Sequence, residues 1–473
     1  YLPGRQAGLA LIYRDNSFMS KRRFRKQKLP AEPVELEITS LSHEGRGIAH
    51  IDGKVAFVDG ALEGERVTAS YVRRRNSYDE LRTESVHQAS PLRVTPPCAF
   101  AGTCGGCSLQ HLDPAAQIEF KQSVLLEQMA QALGHELIDV EILPTLRDTD
   151  FHYRRKARLA ARFVSKKGGA LVGFREKYSS FVAEMDNCEV LVAEVAKLIA
   201  PLRVLFSELD GRMEIPQIEV AVGESAPDLN EPLVVALVVR HLAELSAADL
   251  DALTAFAKEH RVEIYLQSGG VDTVTRLWPL RDTDRLSYFL PDFGLELGFH
   301  PMDFTQVNAG INRKIVKKAL DLLQLSKEDD VLDLFCGLGN FTLAAATLCG
   351  SVVGVEGSEE MVHRGGENAA QNGLTNTEFY AANLAKSFKG EVWASRNYTK
   401  VILDPPRSGA LEIIHEVAQL GAARIVYISC NPATLARDTA ELVKAGYQLK
   451  STGVMDMFPN TTHVESMAVF ERT

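Results

Sequence analysis

Downstream of Asn308, short apolar runs alternate with amphipathic stretches, which is the pattern of a parallel sheet with helical crossovers. The tail Gln448–Phe470 adds two further apolar runs, which predict a closing hairpin. The fold class expected for this half of the chain is therefore an open α/β sheet. Its predicted strands are Val331–Phe335, Val352–Glu356, Thr377–Ala381, Val401–Leu403 and Ile425–Ile428.

Residues 34–86 follow a different pattern, in which short runs are separated by Gly and Asp turns such as Asp52-Gly53 and Asp59-Gly60. Short strands at this density predict a small β-barrel of the OB type, although any small β domain fits the same pattern. The predicted strands are Val34–Ile38, Gly47–Ile51, Val55–Val58, Arg66–Tyr71 and Leu81–Val86.

The middle of the chain has a mixed pattern that predicts an α+β region but assigns no chemistry to it. Gln117–Leu133 has helical spacing, while Leu233–Val239 and Glu263–Gln267 are typical of strands. Pro96-Pro97 indicates a domain boundary. The expected organisation is a basic, disordered extension over 1–33, a β-barrel over 34–90, a central region over 91–290 and the α/β domain over 291–473.

The charge of the chain argues against indiscriminate binding to nucleic acid, because the 473 residues carry a net charge of −10. Basic residues are nevertheless clustered in the N-terminal third, at Arg73–Arg75 and Arg154–Lys156 and in an earlier run. Such clusters favour local phosphate contacts, with solvated surface as the alternative. The earlier run consists of Lys21, Arg22, Arg23, Arg25, Lys26 and Lys28.

The sequence contains no run of about 18 apolar residues, so no membrane partner is expected. The early apolar run Leu9–Tyr13 is too short for a signal peptide, which favours a cytoplasmic protein. Met19 opens a segment that resembles a translation start, so residues 1–18 are expected to be an extension or a gene-model artefact.

Four cysteines are candidates for a metal centre. Cys98, Cys104 and Cys107 follow a C-x5-C-x2-C spacing, and Cys188 lies far downstream. Four thiolates can hold either a [4Fe-4S] cluster or zinc. Because structural zinc sites usually pair two short knuckles, three local ligands and one remote ligand favour iron–sulfur. Unliganded buried thiols are the remaining alternative, and that is the role expected for Cys336 and Cys349.

A glycine-containing loop, Asp333–Phe341, follows the first strand of the α/β half and opens a helix. The loop lacks the third glycine of a dinucleotide fingerprint. Gly337 and Gly339, together with Glu356 at the end of the next strand, suit a nucleoside cofactor without phosphates, such as S-adenosylmethionine. Asn383, after the third strand, is expected at the adenine edge, and a solvated acid is the alternative for Glu356.

Two reactive side chains follow adjacent strands of the same sheet. Asp404 ends the fourth strand and Cys430 the fifth, so both are expected at the carboxyl edge, where ligands bind in open α/β sheets. A thiol there is a candidate nucleophile, while simple packing is its alternative role. Nothing local assigns a role to Glu465, for which a surface carboxylate is an equal alternative.

Residues 34–473 resemble the RNA uracil-C5 methyltransferases, a family of the class I methyltransferase superfamily. The motifs that carry the resemblance are Gln306-Val307-Asn308, the Asp333–Phe341 loop, Asp404-Pro405-Pro406-Arg407 and Ser429-Cys430-Asn431-Pro432. The resemblance implies a Rossmann-like methyltransferase domain, with an N-terminal OB-like barrel of the TRAM type and a mixed central domain. Its transfer-RNA branch lacks barrel and cluster, and one ribosomal branch has a cluster but no barrel, so this architecture implies the ribosomal branch that has both.

The resemblance also implies the roles of the site residues and the partners. Cys430 would add to uracil C6 and Glu465 would remove the C5 proton, on a uridine of 23S ribosomal RNA. Cys98, Cys104, Cys107 and Cys188 would bind [4Fe-4S], with zinc as the alternative. The protein would act as a monomer and without a membrane. The residues expected to bind S-adenosylmethionine are Gln306, Phe335, Asn340, Glu356, Asn383 and Asp404.

Three other functions fit parts of the sequence. A DNA cytosine-C5 enzyme uses similar thiol addition, but its Cys follows a Pro one strand earlier than Cys430. A non-catalytic RNA-binding factor need not retain both Cys430 and Glu465. Methylation of uracil C5 at another ribosomal or transfer-RNA site is the third alternative. The unusual His300-Pro301-Met302 is a departure from the family pattern in the expected substrate loop.

Overall fold

The computed structural model of this protein describes residues 29–228, 231–280 and 283–473. The basic run between Lys21 and Lys28, and residues 1–18, lie outside the described residues. Two compact units are present, one formed by residues up to Ser40 and Arg46–Gln88, the other by Leu41–Gly45 and Ala89–Thr473. No helix among the described residues combines the length and apolar character needed to cross a membrane.

The N-terminal sheet has six strands in the order β1-β5-β6-β4-β3-β2. Alternate residues such as Val67, Ala69 and Leu81 are buried in a core of its own. The sequence pattern predicted five of these strands but missed β2, because two residues carry no periodicity. The strands are β1 (Val34–Glu37), β2 (Ser40–Leu41), β3 (Gly47–Ile51), β4 (Lys54–Asp59), β5 (Arg66–Arg74) and β6 (Tyr78–Gln88).

Helix α1 (Pro114–Leu133) opens the second unit. The Asp113 side chain caps its first turn, proline occupies the first helical position, and Gly134 ends the helix in the left-handed conformation. The hydrophobic pattern placed its start at Gln117, because periodicity begins only after the cap. The helix packs against α9 (Pro432–Lys444) of the α/β half.

The central region contains a six-stranded sheet with the order β13-β12-β11-β10-β8-β9. Strands β8 to β10 and β13 were not predicted; in β8 the charged residues mask the alternation. The elements up to this sheet's last strand are β7 (Glu141–Ile142), β8 (Lys156–Val164), β9 (Gly169–Gly173), α2 (Ala193–Ala196), α3 (Ile199–Glu208), β10 (Gln217–Glu224), β11 (Leu233–Arg240), α4 (Ala247–His260), β12 (Glu263–Gln267) and β13 (Val274–Trp278).

A hairpin and an alternating series of helices and strands complete the chain, and the predicted closing hairpin is present as its last two strands. In chain order these elements are β14 (Leu286–Leu290), β15 (Leu295–Phe299), α5 (Ala309–Leu323), β16 (Asp330–Leu334), α6 (Thr342–Ala346), β17 (Ser351–Glu356), α7 (Glu359–Gln371), β18 (Thr377–Ala381), β19 (Lys400–Leu403), α8 (Ile414–Gln419), β20 (Arg424–Ser429), α9 (Pro432–Lys444), β21 (Tyr447–Met455) and β22 (Glu465–Arg472).

The strand order of this last sheet decides where its site lies. The order is β18-β17-β16-β19-β20-β22-β21-β7, with β16 to β20 parallel and β22 antiparallel to both neighbours. The order reverses between β16 and β19, and such a switch point opens a crevice at the carboxyl ends of the strands. The insertion of β22 beside β20 brings the first residue of β22 to the same edge. The predicted α/β fold class is confirmed.

Candidate active site

Cys430 and Glu465 face each other at the edge of the sheet. In the antiparallel pair β20–β22, Ser429 is opposite Ser466, and the Ser466 hydroxyl donates to the Ser429 carbonyl at 3.2 Å. The next residues outward are Cys430 on one strand and Glu465 on the other. A thiol and a carboxylate that are remote in sequence are thus neighbours.

Burial disfavours the thiolate form of Cys430. Burial raises the pKa of Cys430 to about 11, and the charges of Glu465 and Asp404 raise it further, while Arg407 lowers it. Cys430 also precedes Asn431, which caps helix α9 by accepting from the Ala433 amide. The positive end of a helix favours a thiolate, so Arg407 and α9 are the two features that oppose burial here.

The pKa of the Glu465 carboxyl group is raised toward neutral pH. Its side chain is buried, which raises its pKa to about 8; the charge of Asp404 adds to this rise, while Arg407 and Lys121 oppose it. A carboxyl group that can hold or release a proton near pH 7 suits general acid–base chemistry.

Asp404 lies between the glycine-containing loop and the Cys430–Glu465 pair. Its amide donates to the Leu334 carbonyl at 3.3 Å, which ties the end of β19 to the end of β16. Desolvation raises the pKa of Asp404 to about 7. Its charge also raises the pKa values of Cys430 and Glu465, as expected for a central position.

The loop after β16 is held open by backbone conformation. Phe335 adopts a positive φ of 67°, and Gly337 and Gly339 have φ values of 56° and 99°. A Cβ at Gly337 would meet only the Met361 methyl group, at 4.0 Å, so this side of the loop is unfilled. A ligand can therefore approach the backbone closely at Gly337.

Glu356 lies at the end of β17, beside this loop. One of its carboxylate oxygens accepts from the Gly337 amide at 3.2 Å, and the other accepts from the Gly357 amide at 2.7 Å. These hydrogen bonds fix the carboxylate at the rim, where its remaining lone pairs can accept ribose hydroxyls. Asn383 is exposed after β18, and the neighbouring Ala382 amide donates to the Glu356 carbonyl at 2.9 Å.

Asp333 supports the loop from below, a role that the sequence did not assign although the motif contains the residue. Its fully buried carboxylate accepts from the Thr342 hydroxyl at 2.5 Å and so joins β16 to α6. Burial raises the pKa of Asp333 to about 7, with a further contribution from Asp404.

Asn340 is held by two side chains that the sequence analysis did not identify. Its Oδ1 accepts from the Tyr288 hydroxyl and from Asn312 Nδ2, both at 3.0 Å, and its Nδ2 donates to Asn312 Oδ1 at 2.9 Å. Gln306 lines a small cavity together with Tyr288 and Asn312. The two predicted cofactor residues Gln306 and Asn340 therefore share one polar neighbourhood.

The four candidate cysteines of the N-terminal half come together. Burial is the main cause that raises the pKa of Cys107 to about 12 and that of Cys188 to about 11, and Cys98 raises the pKa values of the other three thiols. Backbone amides point at the sulfur atoms, since Gly106 N–H donates to Cys104 Sγ at 3.3 Å. Within the described ranges, however, no group of three or more His, Cys, Asp or Glu is arranged to hold a metal ion.

The second predicted basic cluster does not form a phosphate-contacting face. Arg155 pairs with the buried Glu224, and Lys156 donates to the Pro301 carbonyl at 3.1 Å, so both side chains are used inside the fold. The prediction was wrong for these residues because buried acceptors compete for them. Arg73–Arg75, in contrast, are exposed at the end of β5.

Comparison with known proteins connects this site to an RNA-modifying family. A family model described as "tRNA (Uracil-5-)-methyltransferase" matches residues 294–473, and a TRAM domain model matches residues 28–70. The solved structure of Pyrococcus abyssi tRNA (uracil-54, C5)-methyltransferase in complex with S-adenosyl-L-homocysteine is similar with a TM-score of 0.70. It is 25% identical, and the match covers 92% of this chain and 99% of that one.

Curated relatives are similar over nearly the full length. The "23S rRNA (uracil(1939)-C(5))-methyltransferase RlmD" of Alcanivorax borkumensis is 51% identical, covering 95% of this chain and 98% of the relative. The protein of the same description from Alkalilimnicola ehrlichii is 52% identical, with the same shares covered. The chain belongs to the RlmD family of RNA uracil-C5 methyltransferases.

Proposed function

We propose that this protein methylates C5 of a uridine in 23S ribosomal RNA with S-adenosylmethionine, at the position that its relatives' names give as uracil 1939. The observation that carries the proposal is the placement of Cys430 opposite Glu465, beside Asp404 and the open loop of β16. The identity of about half the residues to these relatives over 95% of the chain supports the same substrate.

The chemistry requires a nucleophile and a base on one uracil ring. C5 of uracil is a weak nucleophile, so the Cys430 thiolate adds to C6 and leaves the electron pair at C5, which then takes a methyl group. S-adenosylmethionine, when bound, supplies this methyl group. The Glu465 carboxylate removes the C5 proton, and the returning electron pair expels the Cys430 thiolate.

The charges around Cys430 explain how its thiolate can form. Arg407 is the positively charged side chain that lowers the pKa of Cys430, and its carbonyl accepts from Asn431 Nδ2 at 3.0 Å. This hydrogen bond ties the loop after β19 to the cap of α9 and holds Arg407 near the thiol. The charge of Arg407 and the N-terminus of α9 favour the thiolate and offset part of the effect of burial.

We assign the cofactor site to the open loop and its surroundings. Glu356 would accept the ribose hydroxyls, and Asn383 would lie at the adenine end beyond it. Phe335 and Asn340 would flank the nucleoside, while Gln306 and Asp404 would lie toward the methionine and the target base. These side chains fit a ligand that carries hydroxyls and a positive charge but no phosphate.

The raised pKa of Asp404 makes cofactor affinity depend on pH. A carboxyl group with a pKa of about 7 is partly protonated in the ligand-free protein, and a nearby sulfonium cation favours its ionised form. Binding should therefore release protons, and affinity should rise as pH increases from about 6 to about 8. Calorimetric titration in buffers of different ionisation enthalpy measures both effects. Asp404→Asn should bind more weakly without this pH dependence; pH-independent affinity of the unmodified protein would contradict the assignment.

We propose a [4Fe-4S] cluster on Cys98, Cys104, Cys107 and Cys188. Four mutually interacting thiols with amide donors directed at sulfur are the donor set that such a cluster requires, and a bound metal would keep them deprotonated. Zinc, which four thiolates can also hold, is the alternative.

Metal analysis distinguishes the two alternatives. After anaerobic purification, the protein should contain about four irons per chain and show the absorbance of an iron–sulfur cluster. Cys188→Ser should lower the iron content, whereas Cys349→Ser, a core cysteine outside the group, should leave it unchanged. Stoichiometric zinc would overturn the cluster assignment.

The substrate is tested by methylation of unmodified RNA. The structure of the Pyrococcus transfer-RNA enzyme matches 92% of this chain, and residues 89–473 make up a smaller share than that. The match therefore includes part of the N-terminal sheet, so the presence of this sheet does not distinguish enzymes for ribosomal RNA from enzymes for transfer RNA. The identity to the RlmD relatives supports ribosomal RNA as the substrate. We expect labelled methyl groups in 23S ribosomal RNA from a deletion strain; incorporation only into transfer RNA would favour the alternative.

We further expect a monomeric cytoplasmic enzyme.

A further inference from the structure

The loop between β21 and β22, residues 456–464, leads directly into Glu465. Much of its backbone is bound by groups from distant parts of the chain. The amides of Ser108 and Leu109 both donate to the Asn460 carbonyl, at 2.9 and 3.0 Å, and the Thr462 amide donates to Ser108 Oγ at 3.1 Å. Ser108 immediately follows Cys107, so the cysteine segment contacts the loop that carries the base.

Asn460 is the centre of these contacts. It is buried and has a φ of +67°, a left-handed conformation that asparagine tolerates better than most residues other than glycine. Its amide donates to Gln117 Oε1 at 2.8 Å, its Oδ1 accepts from Gln117 Nε2 at 3.3 Å, and its Nδ2 donates to the Asp150 carbonyl at 2.7 Å. Every polar group of Asn460 is thus bound from outside the loop.

Two further side chains hold the first half of the loop. Lys121, fully buried on α1, donates to Asp456 Oδ1 at 2.6 Å and to the Phe458 carbonyl at 2.9 Å. The Tyr153 hydroxyl donates to the Pro459 carbonyl at 2.9 Å. The path of the loop is consequently set by α1 and by the segments around Ser108 and Tyr153, and not by the methyltransferase sheet alone.

We propose that Asn460, held by Gln117 and Ser108, is a positioning residue that fixes Glu465 for removal of the C5 proton. Through this loop, the cysteine segment and α1 would act chiefly on the elimination step, because the loop leads directly into Glu465, whereas Cys430 follows β20. The proposal rests on the proposed function, because it assigns Glu465 the role of base. It also gives the cysteine segment a place in the reaction.

The two steps can be measured separately because the intermediate is covalent. Asn460→Gly keeps the left-handed backbone accessible but removes the side-chain hydrogen bonds. We expect single-turnover formation of the methylated protein–RNA adduct to remain close to that of the unmodified protein, and release to slow by about 10- to 100-fold, so that the adduct accumulates. Cofactor affinity and iron content should not change.

Matched variants separate positioning from stability. Gln117→Met removes the hydrogen-bonding partner of Asn460 without changing any residue of the loop. It should also accumulate adduct, which keeps the test available if Asn460→Gly folds poorly. The control is Asn372→Gly, which removes three hydrogen bonds of Asn372 to Glu296 and Asn368, far along the chain from the loop. This control should release product at the normal rate even if it is less stable.

The outcomes also separate the inference from the proposed function. If the unmodified protein forms no adduct with RNA that contains 5-fluorouridine, the proposed function fails. If it forms the adduct, but Asn460→Gly and Gln117→Met release methylated RNA at the unmodified rate, the positioning role alone is overturned. Equal slowing of addition and release in both variants would also overturn it.

Discussion

Replacement of Cys430 by alanine is expected to abolish uracil methylation while leaving S-adenosylmethionine binding unchanged. Without the thiolate no covalent bond forms at C6, and C5 does not become nucleophilic enough to take a methyl group. Loss of a catalytic nucleophile commonly lowers the rate by about 10⁴-fold or more. The proposed cofactor side chains lie on β16, β17 and the loops around them, so calorimetric affinity for S-adenosylmethionine should change less than about twofold.

Cys349→Ala is the matched control for this variant. Cys349 is a buried cysteine of the same domain, at the end of the segment after α6, and it lies outside the proposed site. Its replacement should cost stability through the lost packing but leave the rate per folded molecule unchanged. Retention of substantial methylation by Cys430→Ala would refute covalent catalysis by this residue.

Replacement of Glu465 by glutamine should stop the reaction after methyl transfer. Glutamine keeps the size of the side chain and its hydrogen-bonding capacity but cannot accept the C5 proton. Elimination should slow by about 10²- to 10⁴-fold, the usual contribution of a general base. A methylated protein–RNA adduct that survives denaturing electrophoresis should therefore accumulate, with near-normal kinetics of its formation.

The raised pKa of Glu465 predicts a second measurable effect of Glu465→Gln, on the pH dependence of stability. Because its folded-state pKa is raised to about 8, the folded protein holds a proton that the unfolded chain releases above about pH 4.5, and stability falls as pH rises through this window. Glutamine removes this dependence, so Glu465→Gln should be more stable than the unmodified protein at about pH 9. Glu471→Gln, on the same strand but at a surface pair with Arg424, is the control. Rapid product release by Glu465→Gln would contradict the assigned base.

The edge of the sheet was predictable because its parts are local in sequence. Asp404 and Cys430 each follow an apolar run directly. Both side chains are therefore expected at the carboxyl ends of parallel strands, whatever the order of those strands in the sheet. The loop of Gly337 and Gly339 followed from the same reasoning. The structure confirms this fold class and strand series.

The partnership of Cys430 with Glu465 required the structure. It depends on the register of β22 against β20, and an antiparallel strand inserted between β20 and β21 leaves no local signal of its register. The family resemblance named Glu465, but its sequence context did not distinguish it from a surface carboxylate.

The residues of α1 that bind the loop before Glu465 were also not predicted. Lys121 and Gln117 lie more than 300 residues before the loop that they bind, and only one feature of the sequence indicated them. The two residues lie one turn apart on the apolar face of a predicted helix, near Leu125. A polar side chain in that position needs a buried hydrogen-bonding partner. The identity of that partner follows only from the tertiary structure.

Mass spectrometry of the protein after reaction with RNA that contains 5-fluorouridine tests the central claim most directly. Fluorine at C5 cannot leave as a proton, so the reaction should stop as a one-to-one covalent complex that carries one transferred methyl group. Peptide mapping should place the modified nucleotide on Cys430, and Cys430→Ala should form no complex. The absence of a complex with the unmodified protein, or its attachment to another cysteine, would contradict the account.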